Sequence, residues 1–183
     1  MWQQSKLPGT LVRYADDVVI LLHSNTDANW ILTELRGMLG RLGLDLHPEK
    51  THVRKATDGF DFLGVHLRLC RVRKPKAKLN YSCRIWPSDR SMLRIHEKMK
   101  AVIGRRYSMT LEALIKELNP VLRGWSNYHI RARGERKRLR KLNTFVRERL
   151  RIFLKRKKYS DQTRGSRRLA GNRLVRLGLF QCA

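Results

Sequence analysis

The chain has 183 residues, 42% of them hydrophobic, which is enough for one ordinary domain or two small ones with a core. Its 41 Lys and Arg against 15 Asp and Glu give a formal net charge of +26, and all of this charge lies beyond residue 70, because residues 1–70 hold eight basic and eight acidic residues. This distribution favours a polyanionic partner, and nucleic acid is favoured over an acidic membrane because no amphipathic segment has an apolar face with Trp or Phe anchors.

The first predicted element is a β-hairpin. Leu11–Tyr14 and Val18–Leu22 have the composition of strands, and Asp16 and Asp17 lie where the chain reverses. Two carboxylates at a hairpin tip suit Mg²⁺, which prefers oxygen ligands. An Asp-Asp turn without chemistry is equally compatible with these residues taken alone.

A helix and further strands follow the hairpin. Residues 25–27 offer a cap, apolar residues from Trp30 to Leu42 recur at helical spacing, and Gly43 ends the helix. Residues 59–65 begin a strand region, and residues 68–86 predict a basic hairpin that turns near residues 73–76.

The pattern becomes helical from residue 87 on. Ser88 caps a first helix, Thr110 caps a second, Pro120 suits the first turn of a third, and a long fourth helix runs from residue 135 to about residue 157. The remaining tail is basic and weakly patterned. Because the strands precede the helices, the sequence predicts an α+β chain with two modules.

Four sequence blocks carry a family resemblance. Arg13-Tyr14-Ala15-Asp16-Asp17 resembles the YADD motif of reverse transcriptases, in the form found in proteins encoded by group II introns. Residues 43–51 and 60–65 are similar to the next two blocks of that family, although the family more often has an aromatic residue at the position of Val65. Residues 119–128, NPVLRGWSNY, closely resemble the signature of the intron maturase domain. The four blocks occur in the family's order over residues 10 to 160.

The resemblance implies the C-terminal portion of a group II intron-encoded reverse transcriptase/maturase. Residues 1–70 would then form the end of the reverse-transcriptase palm as antiparallel hairpins plus one helix. Residues 71–87 would be a basic hairpin or connector. Residues 88–183 would form the thumb and the helical maturase-specific domain.

The same resemblance implies roles for residues of the palm. Asp16 and Asp17 would be catalytic ligands of Mg²⁺, the first more strongly than the second. Lys50 would lie near the triphosphate of the incoming nucleotide, although an ordinary solvated lysine is the alternative. The block that grips the primer end would contribute nucleic-acid contacts from Phe62, Leu63 and Gly64.

The helical part supplies the predicted RNA contacts. Residues 131–158 hold 14 Lys and Arg against two Glu, a density at which self-repulsion favours a bound polyanion over a merely solvated face. The predicted contacts are Arg123, Arg136, Lys137, Arg138, Arg140 and Lys141. Within the maturase signature we expect core packing from Gly124, Trp125 and Tyr128, with base stacking by the aromatic residues as the alternative.

The polymerase parts of the family are incomplete in this chain. The family's third carboxylate comes from an earlier strand, whereas only 13 residues precede Tyr14 and none of them is acidic. We therefore predict that the chain alone does not polymerise. The predicted function is binding of group II intron RNA to assist splicing, with RNA-directed DNA polymerase activity in a full-length context. The alternative is a non-catalytic basic RNA-binding protein, or the product of a decayed or split gene.

Further expectations concern partners and location. An RNA/DNA hybrid and a separate N-terminal reverse-transcriptase half are possible partners of such a chain. Cys70, Cys83 and Cys182 match no zinc-binding spacing and predict free thiols in a reducing bacterial cytoplasm. No membrane span or signal sequence is expected, because the longest apolar run, Val18–Leu22, is far too short for either.

Overall fold

A computed structural model describes residues 2, 5–72, 81–104, 108–132, 136–156 and 172–182. Strands and helices follow the α+β order that the sequence predicts, with most helices after the strands. The strands are β1 (Thr10–Tyr14), β2 (Asp17–Leu21), β3 (Phe60–Phe62), β4 (Val65–Arg71) and β5 (Tyr81–Pro87). The helices are α1 (Ala28–Gly40), α2 (Asp89–Ile103), α3 (Leu111–Tyr128), α4 (Arg136–Arg156) and α5 (Asn172–Arg176).

Strands β1 and β2 form an antiparallel hairpin with a two-residue turn. The register runs from Thr10 opposite Leu21 to Tyr14 opposite Asp17, so Ala15 and Asp16 make the turn and Asp17 already belongs to β2. Ala15 has a φ of 51°, a left-handed conformation that costs a non-glycine residue about 1–2 kcal/mol. The Arg13 side chain compensates by donating from Nε to the Ala15 carbonyl at 2.8 Å.

Helix α1 has the predicted start and stop signals. The Asp27 carboxylate accepts a hydrogen bond from the Asn29 amide at 2.9 Å. At the other end, the Gly43 amide donates to the Gly40 carbonyl and the Leu44 amide to the Leu39 carbonyl, each at 3.0 Å. These two bonds and the φ of 67° at Gly43 define a Schellman stop, so glycine ends the helix as predicted.

The second sheet has the order β3-β4-β5, with antiparallel pairing throughout. A two-residue turn at Leu63 and Gly64 joins β3 to β4, and both residues have positive φ, 49° and 74°. Two consecutive positive φ values are typical of the type I′ turn, whose twist matches that of the flanking strands. Strands β4 and β5 are the two arms of the predicted basic hairpin, and its turn near residues 73–76 lies outside the described residues.

Helices α2, α3 and α4 pack around one apolar core, which the end of the chain completes. Ser88 caps α2 by accepting from the Ser91 amide at 3.1 Å, and Thr110 caps α3 by accepting from the Ala113 amide at 3.2 Å, as predicted. Residues with at most 1% of their surface exposed fill the centre of this core: Met99, Leu114, Ile115, Leu118, Leu122, Leu142, Leu150 and Leu174.

The prediction of separate helices starting at Thr110 and Pro120 is wrong. Helix α3 runs unbroken from Leu111 to Tyr128 with Pro120 in its interior. Pro120 removes one main-chain hydrogen bond, but Lys116 and Pro120 are both exposed, so water can solvate the freed carbonyl. The buried stripe that includes Leu118 and Leu122 continues across the proline, and its packing outweighs the local loss.

We expect Leu142→Ala to lower the free energy of unfolding by about 2–5 kcal/mol, because it leaves a cavity in a fully buried site on α4. Urea denaturation followed by circular dichroism measures the change. Leu93→Ala is the matched control, since Leu93 is 57% exposed on α2 and its truncation should change stability by less than about 0.5 kcal/mol. Equal effects of the two substitutions would contradict the assigned core.

Candidate nucleic-acid interface

The predicted catalytic residues all lie on exposed surface. Asp16 and Asp17 are exposed beside Tyr14, which has 64% of its surface accessible. Lys50 is also exposed, in a turn where its amide donates to the His47 carbonyl at 3.1 Å. Among the described residues, no hydrogen bond or ion pair joins Lys50 to either aspartate. Their catalytic assignment therefore stays a prediction.

The hairpin tip alone is an incomplete site for two divalent cations. Two-metal phosphoryl transfer requires ligands that hold both ions about 4 Å apart. Asp16 and Asp17 provide two carboxylates, and within the described ranges no group of three or more His, Cys, Asp and Glu could hold a metal ion. The residues present do not by themselves fit a metal pair.

The turn between β3 and β4 is held by the helical part of the chain. The Tyr128 hydroxyl, near the end of α3, donates to the Leu63 carbonyl at 2.7 Å. The Ser88 amide, just before α2, donates to the Gly64 carbonyl at 3.0 Å. Both central carbonyls of the turn are thereby bonded to residues that flank or end helices. The predicted nucleic-acid contacts Leu63 and Gly64 lie where the sheet and the helices meet.

A small polar cluster lies beside this turn. The Ser91 hydroxyl accepts from Trp125 Nε1 at 3.2 Å and shares a hydrogen bond of 2.8 Å with His129 Nε2. His129 is only 3% exposed, and its Nδ1 has no hydrogen-bond partner among the described residues. Desolvation by burial lowers the pKa of His129, so the ring is neutral at pH 7.

The structure corrects the expected core role of the maturase signature. Tyr128 is 63% exposed, and Gly124 is exposed on the outer side of α3, so neither is a core residue. Only Trp125 packs partly buried against the core. The helical spacing of Trp125 and Tyr128 suggested a common buried face, but Tyr128 lies in the last turn, where it contacts Leu63 rather than another helix.

Two asparagines bind the backbone at the end of the described chain. Asn119 on α3 donates from Nδ2 to the Gly178 carbonyl at 2.8 Å and accepts from the Phe180 amide at 2.9 Å. Asn143 on α4 makes the same pair of bonds with the carbonyl and amide of Cys182, at 2.8 and 3.0 Å. Residues 178–182 are thereby fixed across both helices. No local pattern predicts this role, because the partners are backbone groups 59 and 39 residues away.

The fixed segment also orients a predicted RNA contact. The Arg123 guanidinium lies 4.9 Å from the centre of the Phe180 ring, within the range of a cation–π contact. Arg123 stays exposed on α3. Two residues after Phe180, Cys182 is buried, and desolvation raises the pKa of its thiol to about 11. The thiol is therefore protonated at pH 7, and Cys182 belongs to the core.

Helix α4 displays most of the predicted basic cluster. Arg136, Lys137, Arg140 and Lys141 are exposed. Arg138 is instead only partly exposed, and its guanidinium donates to the Asp89 carboxylate and, at 3.3 Å, to the Pro87 carbonyl. These contacts tie α4 to the junction of β5 and α2, a structural role that sequence reasoning missed.

Comparison with known proteins agrees with the order of these two parts. Residues 2–67 match the family model "Reverse transcriptase (RNA-dependent DNA polymerase)", and residues 92–170 match "Group II intron, maturase-specific domain". No curated protein matches the chain. A palm-type polymerase segment followed by an intron maturase domain defines the class. The chain belongs to the group II intron reverse transcriptase/maturase family and corresponds to its C-terminal portion. No helix in the described part of the chain is long and apolar enough to cross a membrane.

We expect Asn119→Ala to lower the free energy of unfolding by about 1–3 kcal/mol, because it leaves two backbone groups of the 178–182 segment without their partners. Hydrogen exchange at the Phe180 amide should accelerate in parallel. Asn127→Ala is the matched control, since Asn127 is exposed on the same helix. If both variants unfold at the same urea concentration, the two hydrogen bonds of Asn119 do not stabilise the 178–182 segment.

Proposed function

We propose that the chain binds folded group II intron RNA through the exposed face of α4 and Arg123 of α3, and thereby assists splicing. The observation that carries this proposal is the row of cations on the side of α4 opposite the core. Lys137 and Lys155 mark its ends, separated by 18 residues or about 27 Å of helix. Arg140, Lys141 and Arg151 lie between them.

Negative charge on this face is almost absent. Glu148, the acidic residue of α4, is paired with Arg151 at 2.7 Å, and no ion pair with a described residue engages Lys137, Arg140, Lys141 or Lys155. No acidic residue occupies the first turn of α4, where the helix dipole already contributes partial positive charge. Phosphate groups near Arg136 and Lys137 would offset both the dipole and the repulsion between side chains.

Arg123 is an exposed cation on α3. Its contact with Phe180 restricts the guanidinium before any ligand binds, which lowers the conformational entropy lost on binding. A guanidinium can donate two parallel hydrogen bonds to a phosphate. We therefore include Arg123, together with Arg136, Lys137, Arg140 and Lys141, in the proposed RNA surface. The intron RNA would supply its own catalysis, and the protein would stabilise its folded shape.

We also propose that the hairpin tip serves RNA-directed DNA synthesis when a complete palm is present. The exposed position of Asp16 and Asp17 supports this role, because the tip is open to ligands from outside the described residues. Reverse transcriptases use Mg²⁺, and these aspartates are its proposed ligands. Lys50 is the proposed triphosphate contact, Phe62 a proposed primer contact, and an RNA/DNA hybrid the partner. A separate N-terminal half could complete the palm. The proposed module boundaries are 1–70 for the end of the palm, 71–87 for the connector, and 88–183 for the thumb and maturase-specific domain.

We expect the triple variant Lys137→Gln, Arg140→Gln and Lys141→Gln to bind the cognate intron RNA more weakly. The magnitude of the slope of log affinity against log salt concentration should fall by about two to three, because the variant makes fewer phosphate contacts and so releases fewer counterions on binding. Filter binding or fluorescence anisotropy over a salt series measures both effects.

The control removes three exposed cations elsewhere, by Arg36→Gln, Arg54→Gln and Lys55→Gln. It matches the change in net charge and should leave the slope nearly unchanged. Equal losses in the two variants would contradict an interface on α4. Equal affinity of the unmodified chain for the cognate intron and an unrelated structured RNA, at near-physiological salt, would reduce the function to general RNA binding.

We expect the 183-residue chain alone to show no template-directed nucleotide incorporation, because its hairpin tip offers only two carboxylates to a metal pair. Primer extension with Mg²⁺ or Mn²⁺ tests this. Asp16→Asn should bind intron RNA as tightly as the unmodified chain, since Asp16 lies outside the proposed RNA surface. DNA synthesis that Asp16→Asn abolishes would contradict this prediction.

A further inference from the structure

The turn between β3 and β4 combines a non-glycine residue in the left-handed region with a specific restraint. Leu63 has a φ of 49°, a backbone conformation that residues other than glycine rarely adopt. Such residues persist where their surroundings fix them, and they concentrate at functional sites. The carbonyl of Leu63 is bonded to the Tyr128 hydroxyl at 2.7 Å. The next carbonyl, of Gly64, is bonded to the Ser88 amide at 3.0 Å.

The position of Tyr128 is itself fixed from one side. Its ring meets the His129 ring edge-on with centroids 4.9 Å apart, and the His129 ring packs against Trp125 at 4.5 Å with an angle of 51° between the ring planes. The Ser91 hydroxyl bonds to both His129 and Trp125. A methyl group added at Gly64 would lie 3.8 Å from the Tyr128 ring, so the turn and the tyrosine are in close contact.

Tyr128 differs from the other aromatic residues that the structure describes in the helical part. It leaves 63% of its surface exposed, so burial of its ring contributes little to the core. Its hydroxyl nevertheless makes a hydrogen bond to a backbone group 65 residues away. This combination suits a side chain that fixes the direction of the turn relative to α3.

We propose that Tyr128 is a positioning residue: its hydroxyl sets the β3–β4 turn against the RNA-binding helices, so that a nucleic-acid end presented at the turn is aligned with the duplex bound along α4. This inference rests on the proposed function, because it assigns the α4 face and the turn to one nucleic acid. The ligand class is an RNA/DNA hybrid with a recessed 3′ end, the partner proposed above for DNA synthesis, and its duplex would bind the same cations of α4 as the intron RNA. Trp125, His129 and Ser91 act by fixing the tyrosine.

The first test needs no ligand. Tyr128→Phe removes only the hydroxyl, and Tyr81→Phe is the matched control, because Tyr81 is 48% exposed on β5 and its hydroxyl has no hydrogen-bond partner among the described residues. Hydrogen exchange by mass spectrometry should show at least fivefold faster exchange in residues 60–67 for Tyr128→Phe. Exchange in α4 should stay within twofold for both variants. Unchanged exchange in residues 60–67 would overturn the proposal.

The second test uses an RNA/DNA hybrid with a photoreactive group on its recessed 3′ end. Tyr128→Phe should keep its Kd within twofold, because the cations of α4 are intact, and should lose at least fivefold in crosslinking to residues 60–67. A purely structural role would weaken Kd and crosslinking in parallel, and that result would overturn the proposal. So would equal crosslinking by Tyr128→Phe and the unmodified chain, or no crosslink at the turn in either.

The two proposals fail separately. If the unmodified chain does not bind the hybrid or intron RNA, the proposed function is contradicted. The exchange measurement still decides whether Tyr128 positions the turn, since it requires no nucleic acid.

Discussion

Electrostatic repulsion within the helical module is the constraint on which the rest of the structure depends. The 113 residues after residue 70 carry the whole net charge of +26, and residues 88–183 carry +20 of it, from 27 Lys and Arg against seven Asp and Glu. Three helices can pack in spite of this charge because their facing stripes are almost entirely apolar and their cations point outward. The fold thereby converts a destabilising excess of charge into a continuous basic face. A polyanion bound there would relieve the repulsion and add to the stability of the folded state.

Contacts between the sheet and the helices depend on hydrogen bonds to backbone groups. The Tyr128 hydroxyl, the Ser88 amide and the Arg138 guanidinium each donate to a carbonyl of the β-strand region. Such bonds fix position and direction more strictly than apolar contacts do. A small rotation of the sheet against the helices would therefore break several of these bonds at once.

The sequence predicted the features that local patterns encode. Asp27, Ser88, Thr110 and Gly43 were identified as helix signals because each acts on backbone groups within a few residues. The family resemblance also followed from contiguous motifs, and the domain matches confirm it. Pro120 was misread because its effect on α3 depends on burial of the whole stripe, and local sequence does not report tertiary packing.

Site residues that act over long distances escaped prediction. Asn119 and Asn143 bind backbone groups, which every residue type carries. The partner's side chain therefore gives no sequence pattern from which the pairing could be predicted. Arg138 was grouped with its basic neighbours, although Asp89 engages it. The catalytic roles of Asp16, Asp17 and Lys50 remain predictions from the resemblance, because the described residues do not bring them together.

The hydrogen bonds from Asn119 and Asn143 to the backbone of residues 178–182 have a consequence for biosynthesis. Helices α3 and α4 leave the ribosome before residues 174–182, yet those last residues cover part of the apolar surface between them. A nascent chain therefore exposes part of this apolar surface until residues 174–182 have been synthesised.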